Sequence, residues 1–450
     1  MTGPSVLAAR AVRTASRVSG RGGGTTLPGR VLLRLQPDAI ERLGRTLADG
    51  SVVLSATNGK TTTAAMLSSI LGRSGQNVVN NRAGSNMHWG VATALLDAGR
   101  RPEELGLFEV DEAWLGQVAG WLHPRLLVLG NLFRDQLDRY GELEALADAW
   151  AELVPELPEG SGLVLNADDP LVADLGRKRP DVVYFGVADD SQALPGLQHA
   201  ADSKHCRRCG HPYEYEAVYL GHLGRYRCPN CGNERPTPSI AATRVHLDGM
   251  RGSEITLSAP AGTVEVKLPL PGLYNVYNAL TAAAAGLALG ASLEHVRLGL
   301  QEFAGAFGRV ETIEIGCRPV SILLVKNPAG ANEVLRTLML EDGRIDLWLA
   351  LNDGIADGRD VSWVWDADFE LLAGRVARVT CSGTRAEEMA VRLKYAGIDT
   401  VPAIDRDLLD SLDAAVAGGS GPLYALPTYT ALLELREGLA RRGLAERWSG

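Results

Sequence analysis

The chain has 450 residues, 46% of them hydrophobic and 22% charged, with a net charge of −9. That length holds two or three ordinary domains, and the acidic balance argues against a general nucleic-acid binder, which needs a basic surface. No apolar run approaches the ~18–20 residues of a membrane span and the N-terminus lacks a signal-peptide core, so a cytoplasmic protein is expected, with a peripheral position at the inner membrane face as an open alternative.

Residues 1–45 read as a basic helical arm. Arg10, Arg13, Arg17, Arg21, Arg30 and Arg34 precede the first acid, Asp38. The first four are spaced 3, 4 and 4 apart, which lines them along one helical face. A basic helix docked on the main domain, a transit-peptide-like leader and an arm touching anionic lipid or phosphate all fit this pattern. Residues 46–305 alternate apolar runs with helical stretches. The spacing predicts strands at 51–55, 107–110, 126–130 and 162–166, with a helix over 61–71. This is a parallel sheet with crossover helices, which binds ligands at its strand carboxyl ends. Residues 202–236 interrupt it with cysteines, prolines and glycines. The α/β core is expected to resume with a strand over 263–268, a turn over 269–272 and an alanine-rich helix over 276–289. A hinge is expected at 305–308. A smaller α/β domain then fills 306–450, with strands at 321–325, 347–351 and 376–381.

Thr57-Asn58-Gly59-Lys60-Thr61-Thr62 lies between an apolar strand and a helix. Backbone N–H groups at such a helix start can cradle phosphates. Lys60 would neutralise them and the Thr61 hydroxyl would ligate magnesium. Leu54 stands where the full GxxxxGK[ST] pattern has its first glycine, so the tripeptide alone is weak; its strand and helix context strengthens it.

Of six cysteines, Cys206-x-x-Cys209 and Cys228-x-x-Cys231 are separated by 18 residues, and each pair is followed by glycine. That spacing fits a closed four-thiolate zinc ribbon, hence a structural metal whose binding folds the insert. His205, His211 and His222 lie nearby and are expected on the surface, since four thiolates fill the site. Cys317 and Cys381 lack the setting of a nucleophile. Downstream, 352–363 crowds Asp353, Asp357, Asp360 and Arg359 onto a glycine-containing loop after a strand. Such loops favour chemistry, although Asx-type turns also account for Asp353 and Asp357.

Several ordered blocks resemble the Mur ligase superfamily, which activates a carboxylate as an acyl phosphate for attack by an amine. They are the 57–61 loop, Glu109-Val110-Asp111-Glu112, the 131–138 segment, Asn166-Ala167-Asp168-Asp169-Pro170, the 271–278 segment and Gly308-Arg309. The resemblance implies ATP held by Thr57, Asn58, Gly59, Lys60, Thr61, Thr62, Asn275 and Arg309, with Mg²⁺ on Thr61 and Glu109. Three features depart from it: Gln136 replaces a histidine, Lys326-Asn327-Pro328 stands where many members have histidine before Asn-Pro, and no carbamylated lysine can be placed. With the four-cysteine insert, the 352–363 loop and Leu426-Pro427-Thr428-Tyr429-Thr430, the chain resembles the MurT family across nearly its whole length. That resemblance implies ATP-dependent amidation of the D-isoglutamate α-carboxylate of the lipid II stem peptide at the membrane surface. Ammonia would come from a GatD-type class I glutaminase subunit in a heterodimer. Asp360 would complete the partner's triad, with Asp353 and Asp357 as alternatives. An amino-acid-adding ligase and a zinc-ribbon interaction module on an inactive ATPase scaffold are the rival readings.

Overall fold

The computed structural model describes residues 3–19, 26–81, 85–98, 104–135, 143–199, 201–303 and 310–445. The expected hinge at 305–308, Arg309 and Gln136 lie outside the described residues.

The larger domain is built on strands β1 (Ser51–Ser55), β2 (Asn77–Asn80), β3 (Glu104–Glu109), β4 (Leu126–Leu129), β5 (Gly162–Asn166) and β6 (Val182–Val187). A separate hairpin of β7 (Glu214–Leu220) and β8 (Leu223–Arg227) follows, and the sheet then continues with β9 (Ile240–Leu247), β10 (Ser253–Ala259) and β11 (Gly262–Leu268). The nine-stranded order is β11-β10-β9-β6-β5-β4-β1-β3-β2. From β2 to β9 every pair is parallel, while β10 runs antiparallel to both β9 and β11. The 263–268 segment is therefore one arm of a hairpin and not another crossover strand. Only Pro260 and Ala261 separate β10 from β11, and a parallel connection needs a dozen or more residues.

Period-two alternation divides each central strand between two cores. Val52 and Leu54 face one side and Val53 the other, and both sides are covered, so the strand reads as an unbroken apolar run. The first side holds the Lys60–Arg73, Leu273–Ala288 and Leu293–Gln301 helices. Ala279, Ala282, Ala283, Ala284 and Ala285 are all fully buried, and their small side chains let the Leu273–Ala288 helix pack closely on its neighbours. The second side carries His88–Leu95, Leu115–Leu122, Leu143–Glu156 and the N-terminal helices.

The Pro4–Ser19 helix buries Val6 and Ala9 in that second core. Arg10 donates to Leu96 O, and Arg13 forms a bidentate ion pair with Asp97 at 2.9 Å. These two arginines of the basic face are thus turned into the protein. Among the described residues, no helix is long and apolar enough to cross a membrane.

The smaller domain is a six-stranded sheet of β12 (Val310–Ile315), β13 (Arg318–Leu323), β14 (Ile345–Ala350), β15 (Val376–Ser382), β16 (Ala403–Ile404) and β17 (Leu423–Pro427). Its order is β12-β13-β17-β14-β15-β16, parallel apart from the β12–β13 hairpin. Cys317 sits at φ 68° in the two-residue turn of that hairpin, after Gly316 at φ 57°, the left-handed pair that such tight turns require.

Candidate functional site

In the larger sheet, chain connectivity reverses at β1, with β3 on one side and β4 on the other. Ligands of open α/β sheets bind beyond the strand carboxyl ends at such a point. The 56–60 loop leaves β1 there, Glu109 closes β3, and Asn131 follows β4.

Gly59 takes φ 87° at the N-cap of the Lys60–Arg73 helix. A Cβ there would come within 1.9 Å of Asn278 Oδ1, so only glycine fits. Asn131 clamps the loop from the β4 side: its Oδ1 accepts from Asn58 N at 2.9 Å and its Nδ2 donates to Asn58 O at 3.1 Å. Thr57 is buried, and its Oγ1 accepts from Phe133 N at 3.0 Å. Its side chain ties two loops together. Thr61 is half-buried in the first helical turn, Thr62 is buried and lines the cleft, and Glu109 is 1% exposed at the end of β3.

Lys60 is buried, with its Nζ 2.7 Å from Glu112 Oε2 and also donating to Ala56 O. Burial opposes its charge, but the carboxylates of Glu112, Asp111 and Asp135 outweigh that and hold its pKa above the ordinary lysine value. Asn275, in the first turn of the Leu273–Ala288 helix, donates from Nδ2 to Pro271 O at 2.7 Å and accepts from Asn278 Nδ2 at 3.0 Å.

The smaller domain closes over this loop. Lys326 Nζ lies 2.6 Å from Asp135 Oδ2 and 3.3 Å from Thr57 O. Asn327 Nδ2 donates to Asn58 Oδ1 at 3.0 Å and to Asp135 Oδ1 at 3.3 Å. A cleft of about 900 Å³, including its open mouth, runs between the domains. Asn58, Gly59 and Thr62 supply its polar end, and Phe133, Leu220, Leu223 and Leu270 are among its apolar walls. Glu333, on the Pro328–Leu338 helix, also reaches it; burial raises its pKa despite Arg336 at 2.7 Å. The sequence reading assigned no role to Glu112, Asn131, Asp135, Asn278 or Glu333. The first four stand within quoted motifs, so their nearness to the loop was a usable signal; Glu333 had none.

The four cysteines Cys206, Cys209, Cys228 and Cys231 converge, with their sulfur atoms all within 4.8 Å of one another. Gly210 and Gly232 take φ 73° and 70° after each pair, and their N–H groups donate back to Cys206 O and Cys228 O. Two such knuckles with four sulfur donors fit tetrahedral zinc. His205 and His211 are exposed, as expected, but His222 is not a surface residue. It is 0% exposed, its ring packs 4.5 Å from that of Phe133, and its Nε2 lies 3.5 Å from Asp169 Oδ2. The β7–β8 turn carries it inward, toward the cleft.

The 352–363 loop separates its three aspartates. Asp357 is buried and accepts from Thr430 N at 2.8 Å and from the Thr430 hydroxyl; burial raises its pKa. Asp353 accepts from Thr384 Oγ1 at 2.8 Å and pairs with Arg385 at 2.8 Å. Asp360 is exposed and accepts from Ser362 N at 2.8 Å; the Ser362 hydroxyl and then this N–H hold its pKa below the usual carboxylate value. Ile355 of the same loop is 82% exposed, and just after the loop the ring of Trp365, 51% exposed, lies 5.8 Å from the 72% exposed ring of Tyr395.

Known proteins agree with this architecture. The MurT ligase C-terminal family matches residues 324–432, and the Mur ligase middle domain family matches residues 55–233. The MurT subunit of lipid II isoglutaminyl synthase (glutamine-hydrolyzing) from Streptococcus pneumoniae is 32% identical over 431 residues, covering 95% of this chain and 94% of its own. Its counterpart from Staphylococcus aureus is 30% identical over 434 residues, covering 96% of each. Among solved structures, a pseudomurein peptide ligase type C from Methanothermus fervidus superposes with a TM-score of 0.69 at 23% identity, over 88% of this chain and 79% of that one; the likeness concerns fold.

Proposed function

The chain belongs to the MurT family of Mur-type ligases, and from that premise we propose that it amidates the α-carboxylate of D-isoglutamate in the lipid II stem peptide with MgATP and ammonia. The observation that carries this reading is the phosphate-type loop at the sheet's reversal point, closed from above by Lys326 and Asn327. Loop N–H groups, Lys60 and the Thr61 hydroxyl would bind the phosphates, and Thr61 and Glu109 would hold Mg²⁺. A stem-peptide carboxylate oxygen attacks the γ-phosphorus and ADP leaves, giving an acyl phosphate. The ammonia lone pair then attacks the carbonyl carbon, the C–O bond to phosphate breaks, and nitrogen loses a proton as inorganic phosphate departs.

Ammonia is mostly protonated near neutral pH, so a nucleophile–base pair that releases it from glutamine is needed. Neither cysteine outside the cluster supplies one: Cys381 is buried, with its thiol pushed up to about 12, and Cys317 occupies a hairpin turn. A separate class I glutaminase of the GatD type would provide it. The exposed apolar side chains Ile355, Trp365 and Tyr395 suit a docking face, and Asp360 would orient the partner's histidine. Its exposure supports this reading over Asp357, which accepts from Thr430, and over Asp353, which pairs with Arg385.

The test is amidation of lipid II by the purified chain. ATP with ammonium salt should give amide, ADP and phosphate; no product would overturn the ligase reading. With the glutaminase added, Asp360→Asn should lose glutamine-driven turnover and keep ammonium-driven turnover. Equal loss of both would move Asp360 out of the partner's triad.

A further inference from the structure

The cysteine module does more than staple a loop. Its hairpin joins two places: β8 runs into Cys228 at one end, and at the other the β7–β8 turn enters the interdomain cleft. The paired register from Glu214↔Arg227 to Leu220↔Leu223 spans about 20 Å at ~3.3 Å per residue. Leu220 and Leu223 are 5% and 1% exposed and line the cleft.

The turn is held from several directions. Gly221 takes φ 58°, and a Cβ there would come within 2.7 Å of the Phe133 ring. Its N–H donates to Gln198 Oε1 at 2.6 Å, and Gly224 N donates to Asp168 O at 2.9 Å. His222 packs its ring at a tilt against Phe133 and faces Asp169, whose Oδ2 accepts from Leu132 N at 2.8 Å. Just beyond the second cysteine pair, Arg235 Nε donates to Asp168 Oδ1 at 2.6 Å, and Tyr277 of the cleft wall donates to Asp168 Oδ2 at 2.7 Å. The module thus touches the cleft through the hairpin turn and through Asp168.

We propose that the β7–β8 turn is the nucleoside-recognition wall of this site, with Leu220 and Leu223 packing on the base and the cysteine-bound metal fixing their position. The proposal rests on the nucleotide reading above and adds which residues select the base. The phosphate donors gather at Asn58–Thr62, whereas Leu220, Leu223 and Leu270 offer no polar group that could hold a phosphate. An apolar wall in the same cleft as a phosphate cradle, with Glu333 also lining it, suits a flat heterocycle with hydrogen-bonding edges.

The test compares ATP with inorganic tripolyphosphate by calorimetry on the full chain. Burying part of a leucine against a ligand is worth enough for about a tenfold change in affinity. Leu223→Ala should therefore bind ATP about tenfold more weakly and tripolyphosphate unchanged, whereas Lys60→Ala should weaken both. Leu223→Val, a smaller perturbation, should shift ATP alone in the same direction. Removing the metal with a soft chelator should likewise weaken ATP and spare tripolyphosphate. Unchanged ATP affinity in Leu223→Ala and Leu223→Val, or parallel loss of both ligands, would overturn the proposal while Lys60→Ala still reports on the phosphate site. Wild-type protein that binds neither ligand would overturn the nucleotide reading and this proposal with it.

Discussion

Asp353, Asp357 and Asp360 share a residue type within one short loop, and their surroundings give them different work. Asp357 is a buried bracket for Thr430 and Gly354; three donors would lose their acceptor if it were truncated. An unsatisfied buried group costs about 1–3 kcal/mol, so Asp357→Ala should lower unfolding stability by about that much in a denaturant titration. Because burial already opposes the charge on this carboxyl, Asp357→Asn should cost less than Asp357→Ala. A larger cost for the asparagine would mean that the negative charge itself is required. The composition of the loop announced three acids, but not which was spent internally, because that depends on Thr430 and Arg385, distant in sequence. Lys60 is a similar case. Its motif was legible, whereas its ion pair with Glu112 needed β3 to lie beside β1.

Strands with an unbroken apolar run were easy to read because both faces of the sheet are covered. The β7–β8 hairpin was not, because its pattern is interrupted by register shifts and its neighbours are cysteine knuckles. The module's own apolar cluster joins Tyr213, Tyr226, Cys206 and Cys228 to Ala173 of the main domain. A core that small needs a metal or a disulfide to hold it. Chelation of zinc should therefore lower the thermal midpoint and strip hydrogen-exchange protection from β7 and β8 while β14, β15 and β17 keep theirs. Uniform loss across both domains would instead make the metal a requirement for global folding. The expected surface position of His222 failed for a related reason: a hairpin turn in a cysteine-rich insert reads as exposed unless the surface it docks on is known.

Between the domains, Lys326 and Asn327 reach the phosphate-type loop and Asp135 from the opposite sheet. The lysine that departs from the superfamily pattern thus lies at the seam. A charge-assisted bond in this position both closes the cleft and presents a cation beside Thr57. Lys326→Met should reduce ammonium-driven turnover at least tenfold with little change in thermal midpoint, and Lys326→Arg should recover part of it. Full activity in Lys326→Met would reduce the contact to domain packing.

Local chemistry was enough to read the α/β class, the phosphate-type loop and the four-cysteine knuckles, because each is carried by neighbours in the chain: a strand feeding a glycine turn and helix, and thiols at fixed spacing. The assignment of Asp357 inward and Asp360 outward, the buried turn at His222 and the closure by Lys326 depend on contacts between segments tens to hundreds of residues apart. No periodicity or motif encodes those contacts, since they arise only when two sheets and an inserted hairpin pack around one cleft.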